Sequence, residues 1–297
     1  MPSAEHEAVV AMLEANAGAP GTDVETLRAN MEAMLAGQPL APGTECHDYL
    51  ADGVPVTWVS ASGADARRAV VYLHGGGYVL GSRATHRSLA SRISAASGAR
   101  VLLVEYRLAP EAPFPAAVDD AERVWKWLLT QGVTPEHAAL AGDSAGGGLA
   151  LALLQRIRDA GAPVPACAVC LSPWADLAGT AGPAEEGAAG AADDPMVTAE
   201  GLRELGRLYA GDAVADPLAS PIHGDFTGFP PLLVQVGTRE RLLADARAVA
   251  GKARAAGVEV RLEEEEGLIH VWQIFPDVPE ADAAVQRLGA FLDGRLA

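Results

Sequence analysis

The sequence is poor in sulfur. Its 297 residues hold three cysteines, a small and odd number that rules out a disulfide framework. Cys167 and Cys170 form a CxxC. However, ACAVCLS reads as a buried strand, on which residues three apart point to opposite faces, and no second CxxC or His cluster completes a metal site. All three are read as reduced thiols of a cytoplasmic protein. Basic residues are also scarce. Twenty-two Lys and Arg against 39 Asp and Glu leave a net charge of -17, which excludes nucleic acid and anionic membrane surfaces as main partners, because both are bound by excess Lys and Arg. No apolar run reaches the roughly 18 to 20 residues of a membrane span. The N-terminal stretch MPSAEHEAVVAMLEANAG carries acids where a signal peptide carries bases. A Walker A loop is absent, and the glycine run after His74 has Leu80 where a dinucleotide fingerprint needs its last glycine. Neither cofactor nor metal is expected.

What is present is a strongly apolar chain, 49% hydrophobic and 21% charged, as in globular proteins. Its length suits a single large core. The first 40 or so residues read as two helices, one with Val9, Met12 and Leu13 on a face, the other with Leu27, Met31, Met34 and Leu35. Thr22 with Glu25 is read as a capping box opening the second. After GQPLAPGT, strands are expected at 45–50, 54–60, 69–73, 101–104, 138–141, 166–171, 232–236 and 258–262. Helices are expected between most of them, including 115–130, 146–159, 242–256 and 280–296. Short Val-, Leu- and Ala-rich strands separated by helices predict an α/β protein with a parallel sheet covered on both faces. The first two strands have no helix around them and should start the sheet antiparallel. The Ala-, Gly- and acid-rich stretch 177–195 interrupts the alternation before a helix at 198–210. An insertion of that length is a lid or a linker.

Three motifs carry chemistry. Gly142-Asp143-Ser144-Ala145-Gly146 lies between an apolar strand and a helix. A serine there sits on a tight turn with its hydroxyl pushed out above the sheet, and the flanking glycines avoid backbone collisions. The helix N-terminus adds free N–H groups where negative charge develops. His74-Gly75-Gly76-Gly77 follows another strand and exposes backbone N–H groups able to hold an alkoxide. His270, in EGLIHVWQIF, lies late in the chain, after the last strand, so that the order serine, acid, histidine is available. The acid should follow PLLVQV. Glu240 and Asp245 both qualify, and Glu240 is preferred because Asp245 falls about a turn into the next helix, facing outward.

Taken together, HGGGYVLGS, YRLAPEAPFPAAVDD, GDSAGGGLA, DPLASP and PPLLVQVGTRERLLADA with GLIHVW resemble the hormone-sensitive-lipase family (family IV) of bacterial carboxylesterases, from about His74 to the C-terminus. The resemblance implies an α/β-hydrolase fold, with a mostly parallel eight-stranded sheet and helices on both faces. It also implies an N-terminal helical cap over 1–43, together with part of 177–215, and a catalytic domain over 44–297. It assigns Ser144 as nucleophile, His270 as base and Glu240 as the acid, where the family usually has Asp. Gly76, Gly77 and Ala145 are implied as the oxyanion-hole donors. The implied activity is hydrolysis of short-acyl esters, with a small-molecule ester as substrate. Lactone or amide hydrolysis uses the same chemistry, and a non-catalytic binding relative is the alternative of a different class. Oligomeric state is left open, a homodimer through a sheet edge or the last helix being one option.

Tyr106, Arg107, Pro110 and Glu111 are read as braces of the sheet edge and its turn, and Asp143 and His74 as hydrogen-bonding within the two glycine loops. Trp174 is expected either to line the pocket or to lie in the core. The run Glu263–Glu266 is read as a solvated strand end whose charge raises the pKa of His270.

Overall fold

A computed structural model of the chain describes residues 1–16, 21–180 and 194–297. Two helices come first, α1 (Ala4–Ala15) and α2 (Val24–Leu35). The cap of α2 differs from expectation. Asp23, not Thr22, is the N-cap: its carboxylate accepts from Thr26 N at 2.9 Å and from Thr26 Oγ1 at 2.8 Å. The sequence offers two overlapping caps, and the carboxylate that meets both Thr26 donors is the one used.

Eight strands follow: β1 (Glu45–Ala51), β2 (Val54–Ser60), β3 (Asp65–Leu73), β4 (Ala99–Val104), β5 (Ala138–Asp143), β6 (Cys167–Leu171), β7 (Leu232–Gly237) and β8 (Val260–Glu265). They form one sheet in the order β1-β2-β4-β3-β5-β6-β7-β8. β1 and β2 run antiparallel to their neighbours, as expected, and the rest are parallel. The β1–β2 hairpin turns on Asp52 and Gly53, both left-handed at φ 49° and 84°, as a two-residue hairpin favours. β3 begins at Asp65, ahead of the expected 69, because Asp65 N already bonds Gly98 O at 2.8 Å. β8 lies two to three residues later than expected and runs into the acidic run, pairing Glu263, Glu264 and Glu265 with β7.

The helices α3 (Arg83–Ser97), α4 (Ala116–Thr130), α5 (Ala145–Asp159), α6 (Ala199–Ala210), α7 (Leu243–Ala255) and α8 (Pro279–Asp293) complete the order. Alternate residues of the central strands feed two separate cores. Val71, Leu73, Leu140, Cys170 and Val234 pack beneath α4, α5 and α7. Val70, Tyr72, Ala141, Cys167 and Leu233 pack on the other face with α3 and α8. Cys167 and Cys170 therefore lie on opposite sides of the sheet, and burial pushes both thiols up to about 12. All three cysteines are free.

A third apolar cluster joins Val10, Leu13 and Leu35 of the N-terminal helices to Leu268, Ile269, Val271 and Trp272. Among the described residues no helix is long and apolar enough to cross a membrane. The stretch read as a lid or a linker falls largely on 181–193, outside the described residues. The carboxyl ends of β3, β5, β6, β7 and β8 open onto one rim, where ligands of open parallel sheets bind.

Candidate active site

Strain gathers at that rim. Five non-glycine residues among those described have left-handed φ, and four of them, Tyr78, Ser144, Ser172 and Val271, lie on rim loops. Backbone strain of this kind persists only where surrounding structure enforces it. Ser144, at φ 51° and ψ -121°, is the link between β5 and α5. The glycines beside it are required by space: a Cβ on Gly142 would stand 2.3 Å from Gly146 O, and one on Gly146 would stand 2.0 Å from Leu73 O.

The three polar side chains expected from the sequence meet here. His270 Nε2 lies 2.9 Å from Ser144 Oγ, and His270 Nδ1 lies 2.8 Å from Glu240 Oε2. A carboxylate facing Nδ1 fixes the tautomer, with the proton on Nδ1 and Nε2 free to accept from the hydroxyl. Glu240 is itself held. Its Oε1 accepts from Ser172 Oγ at 2.8 Å and from Gly237 N at 2.6 Å. Glu240 and His270 are 1% and 4% exposed, so both bonds form in a medium that strengthens them. Burial alone would depress the imidazole pKa, but the hydrogen bond and charge of Glu240, with the charges of Asp194 and Asp143, outweigh it and raise it above its ordinary value.

The glycine loop lies directly against the serine turn. A Cβ on Gly146 would be 2.5 Å from His74 O, and one on Gly75 would be 2.2 Å from Asp143 Oδ2. Asp143 anchors the two loops to each other, accepting from Gly75 N at 3.0 Å and Tyr72 Oη at 2.8 Å, with His86 Nε2 3.3 Å away. Burial would push this carboxyl up, but the His86 charge and hydrogen bond and the Tyr72 bond bring it below its ordinary value. Tyr106 stacks on His74 at 4.2 Å and donates to His74 O at 2.6 Å. Gly76 and Gly77 both have left-handed φ, 114° and 63°. Gly75 N and Ser144 N are paired, whereas Gly76 N, Gly77 N and Ala145 N have no acceptor among the described residues. Three unspent donors beside a hydroxyl–imidazole–carboxylate line can stabilise a tetrahedral oxyanion.

Asp245 does not face outward. It is 9% exposed and accepts from Ala175 N and Asp176 N, each at 2.9 Å. The helix face it occupies points at the loop after β6, and burial, with the Asp176 and Glu240 charges, pushes its carboxyl up to about 7 against those two N–H bonds. It braces that loop and does not touch His270. The acidic run closes β8 with Glu264 and Glu266 exposed, as expected, but it is also paired: Glu263 and Glu265 with Arg287, and Glu264 with Arg247. None of the three paired glutamates is among the leading causes of the His270 shift. Trp174 is 2% exposed, in the core between Tyr78 and Gly206. Arg107 grips Asp120 and Glu111 grips Arg28, both as braces.

Sequence reading missed Ser172. Its position directly after β6, on the same rim as Ser144, is the signal that marks it. Among the described residues no group of three or more His, Cys, Asp and Glu is placed to hold a metal.

Residues 70–274 match the alpha/beta hydrolase fold family, on the strands and loops that build this rim. The chain belongs to that family. This α/β-hydrolase is 50% identical over 236 residues to an acetyl-hydrolase of Streptomyces hygroscopicus, covering 79% of this chain and 78% of the relative. It is 34% identical to an esterase of Acinetobacter venetianus, covering 77% of each. Among solved structures, an esterase from the bacterial hormone-sensitive lipase family is 43% identical, with a TM-score of 0.94 over the full length of both chains. The chain is thus an α/β-hydrolase of the esterase type, in the hormone-sensitive-lipase group.

Proposed function

We propose that this protein is a serine carboxylesterase that cleaves short-acyl esters through an acyl-enzyme intermediate. The observation that carries the reading is the continuous line Ser144 Oγ, His270 Nε2, His270 Nδ1, Glu240 Oε2, at 2.9 and 2.8 Å. In this reading Ser144 Oγ attacks the ester carbonyl while His270 Nε2 takes its proton. The carbonyl oxygen becomes an oxyanion held by Gly76 N, Gly77 N and Ala145 N. Glu240 stabilises the imidazolium and does not take its proton. Collapse breaks the bond to the alcohol, which leaves with the proton from His270. Water, deprotonated by the same nitrogen, then attacks the acyl-serine; collapse breaks the bond to Ser144 Oγ, which takes the proton back from His270 as the acid is released.

The short acyl preference is supported by the acetyl-hydrolase relative and by bulk close to the donors. Leu205 of α6 packs against Gly77, where a Cβ would meet it at 2.5 Å. Tyr78 and Tyr209 stack beside it at 3.8 Å. We read 1–43 with part of 177–215 as a cap on a 44–297 catalytic domain, and the three free thiols as those of a cytoplasmic protein.

A fluorophosphonate probe and a 4-nitrophenyl ester series of rising acyl length test this. Labelling of Ser144 and hydrolysis falling off beyond short acyl chains are expected. Ser144→Ala should lower kcat on the order of 10⁴- to 10⁶-fold. A wild-type protein that neither labels nor hydrolyses any of the series would refute the reading.

A further inference from the structure

The two N-terminal helices are fastened to the loops that carry the proposed chemistry. α1 is seated on α8 by Ser3, whose N and Oγ donate to Glu280 at 2.6 and 2.7 Å. One turn on, the buried His6 accepts from Ile269 N at 3.3 Å, the amide directly before His270. Burial lowers the His6 pKa against the opposing pull of Glu7 and Glu280, which favours the neutral ring whose Nε2 accepts from Ile269 N. The same helix sends Glu14 and Glu7 to Arg239, at 3.3 and 3.9 Å, the residue directly before Glu240.

α2 makes the equivalent attachment on the other side. Arg28 Nε donates to Val79 O at 2.8 Å and Nη2 to Ala109 O at 2.9 Å, while the guanidinium grips Glu111 through two bonds of 2.8 Å. Val79 belongs to the turn that Gly76 O closes by accepting from Val79 N and Leu80 N at 3.1 and 2.8 Å. Gly76 O shares a peptide plane with Gly77 N, so that turn sets the direction of the Gly77 donor. Farther along α2, Glu32 accepts from Ser82 Oγ at the turn's far end.

We propose that His6 and Arg28 are positioning residues, His6 holding the His270 loop and Arg28 holding the glycine turn, so that α1 and α2 set the catalytic geometry as well as covering it. The proposal rests on the esterase reading above. The two attachments act on different parts of the reaction and leave different signatures. A loosened glycine turn weakens the grip on the oxyanion, which exists only in the transition state, so kcat falls and KM does not. A loosened His270 loop alters the imidazole's contact with Glu240 and with the Asp194 and Asp143 charges, so the acid limb of the rate profile moves.

The experiment uses the full chain, with active sites counted by fluorophosphonate labelling so that misfolded protein drops out of kcat. Arg28→Met should lower kcat about tenfold, a fraction of the roughly 10²- to 10³-fold loss on removing a donor outright. KM should be unchanged, a boronic-acid inhibitor should bind correspondingly more weakly, and the acid limb should stay in place. Arg28→Lys, which keeps the charge without the forked contacts and is the milder change, should recover only part of the loss. His6→Phe should lower kcat and shift the acid limb, and His6→Gln, with an acceptor near the place of Nε2, should restore both. Variants with a lower melting temperature but wild-type kcat per labelled site, boronate affinity and acid limb would overturn the proposal. A wild type that neither labels nor turns over substrate would strike the esterase reading instead.

Discussion

At the scale of single residues, the site depends on a competition over one imidazole. Burial favours the neutral ring of His270, and Glu240, helped by Asp194 and Asp143, favours the charged one; the carboxylates win. In the proposed role of general base His270 works only when neutral, so its raised pKa should place the acid limb of kcat/KM above the ordinary histidine value of about 6.5. Glu240→Gln removes the largest opposing influence and leaves burial dominant. The acid limb should then move to lower pH, while kcat falls on the order of 10⁴-fold, as when other triads lose their carboxylate. Neutralising Glu263 and Glu264 together should move the limb far less, because neither bonds the imidazole, whereas Glu240 does. A pH–rate profile of each variant decides both points. If the acidic run moved the limb and Glu240→Gln did not, long-range charge and not the direct hydrogen bond would govern the base.

Among elements, the strand–turn–helix of β5, Ser144 and α5 is the part most tightly fixed by covalent geometry. Gly146 has an ordinary φ, so its need is purely spatial, set by Leu73 O at 2.0 Å and His74 O at 2.5 Å from any Cβ. Gly146→Ala must separate β3 from α5. It should cost roughly 3 kcal/mol or more of stability, read as a lower denaturant midpoint and loss of probe labelling together. Contacts of this kind are why the turn was legible beforehand: GDSAG carries its constraint in its own letters. The parallel strands were legible for a similar reason, since β5, β6 and β7 are buried along their whole length and need apolar runs. Other features depend on partners far away in the chain. Asp245 sits at a helix position that could face solvent, and only the loop after β6, offering Ala175 N and Asp176 N, makes it buried. The acidic run looked unpaired because its partners, Arg247 and Arg287, reach it from the distant helices α7 and α8. Ser172 gains its role from the meeting of two loops, at Glu240 and at Val271 N, 3.3 Å away, which no local spacing encodes. The cap of α2 failed on a finer point. Thr22 and Asp23 both fit the pattern, and Thr26, with two donors, favours the carboxylate.

At the scale of the whole molecule, the net charge of -17 sets a field that no single contact describes. Many acids are paired, but 39 against 22 cannot all be, and the excess gives the surface a negative potential. Such a field concentrates cations and depletes anions around the molecule, changing encounter without changing the chemistry. Salt is therefore the discriminating variable. Between about 0.01 M ionic strength, where the screening length is about 30 Å, and about 1 M, where it is about 3 Å, the field's reach collapses. A neutral acetate ester should show nearly constant kcat/KM across that range. A quaternary-ammonium ester should lose about twofold or more as salt rises, and a hemisuccinate ester should gain a comparable factor. Steady-state kinetics on the three substrates at matched pH measures this directly. Identical salt responses for all three would mean that the local balance at the rim is neutral. The excess acid would then lie on faces of the molecule remote from the substrate's approach, with no influence on which esters it meets.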